Sequence, residues 1–260
     1  MTIPQDVVFD FNPARAHTST EAADWALDWI ARENLTLEWI LDTHPHADHL
    51  MAAAYLKAKT GASNTIGEKV REIADLCRDV YNTPDAFDPE AGFDRLFADG
   101  DTFRIGDLNV RVMLSPGHTL GSITYVVRDA IVAHDTFVQP DSGTARADFP
   151  GGSAATLYDS LTVILTTPDD HRIFIGQDYG ADCRDGPAWE STVPEQKASN
   201  KHIRGGVPKK EYLKVHEARD ATLNLPNRML HVLQFNLRGG RLPEPKADGN
   251  SYIKITANRF

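Results

Sequence analysis

Four residues able to hold a metal ion, His44, His46, Asp48 and His49, fall within the eight-residue run THPHADHL. The run follows directly on a short apolar stretch at residues 38–42 that reads as a strand. In extended backbone, residues two apart point the same way, so His44 and His46 can face one target while Asp48 and His49 begin the next element. Neutral imidazoles mixed with carboxylates on rigid supports are the donors a transition metal requires. An exposed histidine-rich turn that binds nothing is the bland alternative. It is weakened because the same kinds of donor recur at later strand ends: His118 in SPGHTLGS and Asp135 at the end of IVAHD. His134 precedes Asp135 and, in a strand, would face away from it, so it falls outside the donor set.

The elements that must carry these residues alternate along the chain. Residues 18–34 read as a helix, with Thr18 and Glu21 as a capping box and Ala22, Trp25, Ala26, Trp29 and Ile30 on one face. A second helix is expected with Asp48 as its N-cap and Gly61 beyond its end. A third covers residues 68–81 through Val70, Ile73, Ala74, Cys77 and Val80. Then the period changes to two: Phe103 and Ile105, Val110 to Leu114, Ile123 to Val127 and Ala130 to Ala133 read as strands joined by Gly-Asp and Arg-Asp turns. Residues 153–165, 192–203 and 209–222 return to helix, residues 171–175 to strand, and the stretch around Gly239, Gly240, Pro243 and Pro245 to loop with a last short strand. One α/β domain over residues 1–260 is expected, with antiparallel or mixed sheets.

Composition excludes several classes. The chain has 260 residues, of which 41% are hydrophobic and 25% charged, with 27 Lys and Arg against 37 Asp and Glu for a net charge of −10. That balance argues against nucleic acid as a partner. No apolar run reaches the roughly 20 residues of a membrane span, and MTIPQDVVFDF has no leader pattern. Two cysteines, Cys77 and Cys183, fit a reducing, cytoplasmic setting. Cys77 reads as core, and Cys183 could reach a pocket rim. His171, His202, His216 and His231 stand isolated and read as surface or packing residues, while Trp25, Trp29 and Trp39 read as core.

THPHADH, then SPGHT, then HDTF resembles the metallo-β-lactamase superfamily in both order and spacing. GTARADFPGG with TLYDSL, PAWESTVPEQKASNKHI and EARDATLNLPNRMLHVLQFN resemble its persulfide dioxygenase branch, including the β-lactamase-hydrolase-like bacterial members. The resemblance implies an αββα sandwich of two mixed sheets flanked by helices. Few residues precede the segment matching the family's front, so a shortened N-terminal edge is expected. It implies one Fe(2+) per chain held by His44, His118 and Asp135, donors that also accept Zn(2+). The two imidazoles and one carboxylate would leave positions for substrate sulfur and O2. Arg146 would contact the glutathione moiety of a persulfide, unless it is spent on Asp148 or Asp141. Tyr179 would place its hydroxyl near the substrate. Where relatives have histidine this chain has Gln177, a poor ligand, so a second metal site should be weak or empty. His46, Asp48, His49, Gln177 and Asp178 would then be supporting residues or the remnant of that site. The function implied is oxidation of glutathione persulfide, or a related small persulfide, by O2 to sulfite and thiol. A glyoxalase II-like thioester hydrolase and a catalytically silent sensing or binding relative are the alternatives. A homodimer is compatible with the family.

Overall fold

The structure, a computed structural model, describes residues 8–181 and 184–259; Cys183 and the residues before Val8 lie outside them. The chain divides into two compact units: the described part of Asp6–Phe97 with Asn224–Phe260, and Ala98–Leu223.

The first unit begins with β1 (Val8–Asn12), paired antiparallel to β2 (His17–Ser19). Helix α1 (Glu21–Arg32) follows, starting later than the pattern predicts because Thr18 is taken into β2 opposite Phe11. Its face is also turned: Ala23 and Ala26 are buried, while Trp25 is 60% exposed. The helix packs through small residues, with Ala23 and Leu27 in one cluster with Ala52, Ala53 and Leu56, and a tryptophan does not fit so close an approach. Next come β3 (Trp39–Leu41), β4 (Leu50–Met51) and α2 (Ala53–Thr60). Gly61, φ 75°, ends α2 in the left-handed cap expected of it. The chain continues through β5 (Ser63–Gly67), α3 (Val70–Tyr81), α4 (Pro89–Gly92) and β6 (Arg95–Phe97). Helix α3 buries Val70, Ile73, Ala74 and Cys77, as the periodicity predicts. β3, β5 and β6 form an all-parallel sheet, whereas β2, β1 and β4 form an antiparallel one.

The second unit is built on one mixed sheet. β7 (Thr102–Ile105), β8 (Leu108–Leu114), β9 (Ile123–Val127) and β10 (Ala130–Val132) form an antiparallel meander. Its turns use Gly106 and Arg128 at positive φ, as hairpins require. α5 (Ala154–Ile164), capped by the Ser153 hydroxyl, crosses over to β11 (Arg172–Phe174), which lies parallel to β10. β12 (Glu190–Thr192) completes the order β12-β11-β10-β9-β8-β7. A reciprocal Thr192–Glu195 capping box then starts α6 (Val193–Ser199), and α7 (Lys209–Asp220) follows. Phe137, Leu157, Leu161, Ile173, Val193 and Tyr212 centre the core of this unit.

The hydrogen-bonded sheets number three among the described residues, because the strands of the first unit fall into separate ladders. The last helix, α8 (Met229–Asn236), returns to the first unit. The sequence reading assigns its residues no element, and the last short strand expected near the C-terminus does not form among the described residues. No helix among them is long and apolar enough to cross a membrane.

Candidate active-site residues

In the first unit the chain leaves β3 and turns through His44 and His46, each 2% exposed, to Asp48 and His49 before entering β4. Asp48 does not cap a helix as expected. Leu50 and Met51 pair with β1 instead, and this tertiary pairing delays the helix to Ala53. The rings of His44 and His46 lie 4.1 Å apart, and those of His46 and His49 4.2 Å apart and nearly parallel. Thr43 Oγ1 lies 3.0 Å from His44 Nδ1. One donor atom from each of His46, Asp48 and His49 falls within 4.8 Å of the others, a donor set of nitrogen and oxygen that fits a cation such as zinc or iron.

Asn236, at the end of α8, holds this turn in shape. Its Nδ2 donates to the carbonyls of His46 (2.8 Å) and His49 (2.9 Å), and its Oδ1 accepts from Met51 N–H at 2.9 Å. Asn236 is wholly buried, and all its partners are main-chain groups of the histidine turn or of β4. Gly240 lies so close that a Cβ there would sit 2.4 Å from the Met51 carbonyl, at a φ of +82°. No metal-binding pattern marks Asn236. The signal for it was the apolar run MLHVLQF, which is helical.

In the second unit His118 sits on the turn Pro116–Gly117. Gly117 has φ +135°, and a Cβ there would lie 2.3 Å from the backbone of Leu157 in α5. The turn thus rests directly on the helix, and only glycine permits it. His118 Nδ1 donates to the Arg146 carbonyl at 2.8 Å. A carbonyl only accepts, so Nδ1 carries the proton and Nε2 keeps its lone pair, the form a metal needs. Nε2 lies 3.7 Å from Asp135 Oδ2, a spacing that suits two ligand atoms sharing one ion.

Asp135 stands on a single 3₁₀ turn, His134–Thr136, beyond the end of β10. Strand alternation therefore does not govern His134. With φ 48° it brings Nδ1 to 3.1 Å from Asp135 Oδ1, so it touches the carboxylate it was expected to avoid. Gly176 leaves the room for that ring, since a Cβ would come within 2.3 Å of it.

Gln177 Nε2 lies 3.5 Å from Asp135 Oδ2, and Gln177 Oε1 accepts the Tyr179 hydroxyl at 2.6 Å. The amide thus links the phenol to the carboxylate. Asp178 receives both Nη groups of Arg184 at 2.6 Å, and the N–H groups of Ala188 and Gly180. The Arg184 hydrogen bonds, with those N–H groups, hold its carboxyl well below the usual carboxylate range. Arg146 places its fork on Asp148, Nε and Nη2 each donating at 2.6 Å, with its guanidinium 4.7 Å from the centre of the Phe149 ring.

Sequence reading missed the support beneath the Arg146 segment. His202, half-buried, and His216, buried, are both bonded and not isolated. His202 Nδ1 accepts the Thr144 N–H at 3.0 Å, and His216 Nε2 donates to Ala145 O at 2.7 Å. Arg219 donates to Thr144 O at 2.8 Å, and Asp220 accepts Ala147 N–H at 2.8 Å while lying 3.1 Å from His216 Nδ1. The backbone of Thr144–Ala147 is thereby held at each residue but Arg146, whose carbonyl is the acceptor for His118. EARD in the sequence is the signal, since His216 and Asp220 lie one helical turn apart.

Burial, reinforced by the neighbouring Arg219 cation, pushes the His202 imidazole down to about 4. Between that value and the unfolded value of about 6.5 the unfolded chain binds a proton that the folded chain refuses. Stability should therefore fall as pH drops through this window, by about 2 kcal/mol after allowance for partial exposure. Urea unfolding at pH 7 and pH 4.5 checks this. The difference between the two should shrink by about that amount in His202→Gln, and an unchanged difference would contradict it.

A family model described as the metallo-beta-lactamase superfamily matches residues 16–177. A beta-lactamase hydrolase-like protein of Agrobacterium fabrum is 53% identical over 250 residues, which is 96% of this chain and 58% of that protein. One from Xylella fastidiosa is 51% identical over 253 residues, or 97% and 58% respectively. The chain thus spans less than two thirds of the length of these curated relatives. Among solved structures, that of ETHE1 from Myxococcus xanthus matches with a TM-score of 0.70 at 27% identity, covering 91% of this chain and 96% of that one.

Proposed function

The chain belongs to the metallo-beta-lactamase superfamily and has its α/β fold, and from that premise we propose that it is a mononuclear non-haem iron dioxygenase acting on glutathione persulfide or a related small persulfide. The net reaction joins persulfide, O2 and water to give thiol, sulfite and two protons. The β-lactamase-hydrolase-like relatives and the likeness to ETHE1 support this branch over the glyoxalase II-like one. The observation that carries it is His118, whose proton is confined to Nδ1 while Nε2 faces Asp135.

In this reading His44, His118 and Asp135 are the ligands of one ferrous ion. Iron bound by two imidazoles and a carboxylate supplies adjacent open positions for sulfur and O2, together with the electrons that activate oxygen. The protein's own contribution is orientation. Arg146 O fixes the tautomer of His118, and Asn236 fixes the histidine turn. Gln177 spends its amide on Tyr179 and Asp135 and stands where a second metal would need one of its imidazoles, which disfavours two-ion hydrolysis. His46, Asp48 and His49 are supporting groups, and Asp178 is tied to Arg184. Tyr179, 73% exposed, is the residue that orients the substrate sulfur through its hydroxyl.

Arg146 binds the substrate carboxylate by exchanging it for Asp148, a paired fork that suits either carboxylate. Arg146→Ala should therefore raise KM for glutathione persulfide about tenfold and leave kcat within about twofold, while Asp148→Asn should lower KM. An unchanged KM with a collapsed kcat in Arg146→Ala would refute the assignment. The function itself is tested by anaerobic purification followed by oxygen uptake on addition of glutathione persulfide. One sulfite formed per O2 consumed is expected. Cleavage of a glutathione thioester without oxygen uptake would make the protein a hydrolase, and neither activity with iron or zinc would make it a silent relative.

A further inference from the structure

We propose that the first unit carries a binding site for a small organic anion with an apolar body, an alkyl or aryl carboxylate, between the α3–α4 connection and the segment after α8. A cavity of about 760 Å³ lies there, bounded by residues 83–88 and Ala91 on one side and by Gln234, Arg238, residues 241–244, Lys246 and residues 252–254 on the other. That volume is in the range of cavities that enclose small-molecule ligands. Phe87, Leu242, Tyr252 and Ile253 supply its apolar wall.

The charges along it are unusual for a chain of net charge −10. Arg238, Arg241, Lys246 and Lys254 all line the cavity. Among the described residues, none of these four lies within ion-pair distance of a carboxylate. Arg238 Nη1 donates to Gln234 O, Arg241 Nη2 to Ala91 O at 2.6 Å, Arg241 Nε to Arg238 O at 3.1 Å, and Lys254 Nζ to Asn82 O at 2.8 Å. Carbonyl oxygens satisfy N–H groups without neutralising the charge, so a half-buried guanidinium beside a second one keeps its desolvation cost. Three carboxylates share the wall, Asp85, Asp88 and Glu244. Asp88 spends Oδ1 on the N–H groups of Glu90 and Ala91, and Glu244 acts on Arg238 only from beyond contact.

The floor beneath Arg238 is built with strain. Phe87 is 2% exposed and adopts φ 61°, a region an aromatic residue rarely occupies, and its ring lies 4.6 Å from the Arg238 guanidinium carbon. Arg78 holds it there by donating to the carbonyls of Ala86 (2.7 Å) and Phe87 (2.6 Å). A strained residue clamped from behind and stacked on a cation is how a protein presents a fixed fork to a ligand. A carboxylate takes that fork in two parallel hydrogen bonds, and an alkyl or aryl body fills the wall beyond it.

Titration calorimetry of the whole chain with decanoate tests the site without reference to any metal or to catalysis, so its failure and that of the proposed function are separable. One saturable site is expected, with a Kd of about 10–100 µM. Decanol, which keeps the chain and loses the charge, should bind at least about tenfold more weakly, and so should decanoate to Arg238→Gln. Arg241→Gln, an exposed position suited to a variant that folds, should weaken decanoate binding by a similar factor. Absence of saturable binding to the folded wild type would overturn the proposal. So would equal affinity for decanol, affinity untouched in folded Arg241→Gln, or inorganic phosphate binding as well as decanoate.

Discussion

His118→Ala is expected to lower persulfide-dependent oxygen uptake by more than about a thousandfold, to the rate of the metal-free protein. The size of the effect follows from what the imidazole does. It is 7% exposed, and the Arg146 carbonyl locks it in the tautomer that leaves Nε2 with its lone pair. Asp135→Ala and His44→Ala should match it, because a three-ligand face reduced to two ligands no longer retains iron. The three variants should fold, since each removes a polar group at a strand end and not a core hydrophobe. Far-ultraviolet circular dichroism and oxygen uptake, measured on the same preparations, check both halves of the expectation. A folded His118→Ala protein retaining a tenth or more of the activity would defeat the ligand assignment.

Asn236→Ala carries the second large effect, on stability and on metal affinity together. The side chain supplies three hydrogen bonds to the turn that carries His46 and His49. Alanine would leave two carbonyls and one N–H buried without it, at about 1–3 kcal/mol for each group that finds no replacement. A loss of about 3–5 kcal/mol in urea unfolding is expected. Loosening the backbone behind the histidines should also weaken metal binding by about 10–100-fold. Asn236→Asp should not rescue it, because a carboxylate oxygen would face the carbonyls of His46 and His49. Unfolding within about 1 kcal/mol of wild type would show that Asn236 fills space and does not hold the turn.

The two effects mark the divide between what the sequence discloses and what it hides. The family was legible because metal-donor types recur at strand ends, at His44, His118 and Asp135, and the resemblance read from them is borne out by the family match. Helix α3 was legible because five apolar residues at helical spacing leave one face to bury. Asn236 was not, because an asparagine that bonds only to backbone has no sequence partner to co-occur with. Asp48 misled for a related reason. Its capping potential is local and worth about 1 kcal/mol, and pairing of Leu50 with Phe9 in β1 overrides it. Trp25 misled because hydrophobic spacing fits two adjacent helix faces, and packing selected the one with the smaller side chains. His202 and His216 looked isolated in sequence, yet α7 and the segment before it bring both to the backbone of residues 144–147.

Metal stoichiometry of the anaerobically prepared protein tests the central claim most directly. Elemental analysis after loading with ferrous iron should find one tightly held ion per chain in the wild type and none in His44→Ala or His118→Ala, with Gln177→His gaining a second site. Two tightly held ions in the unaltered protein, or one that survives loss of either histidine, would contradict the account.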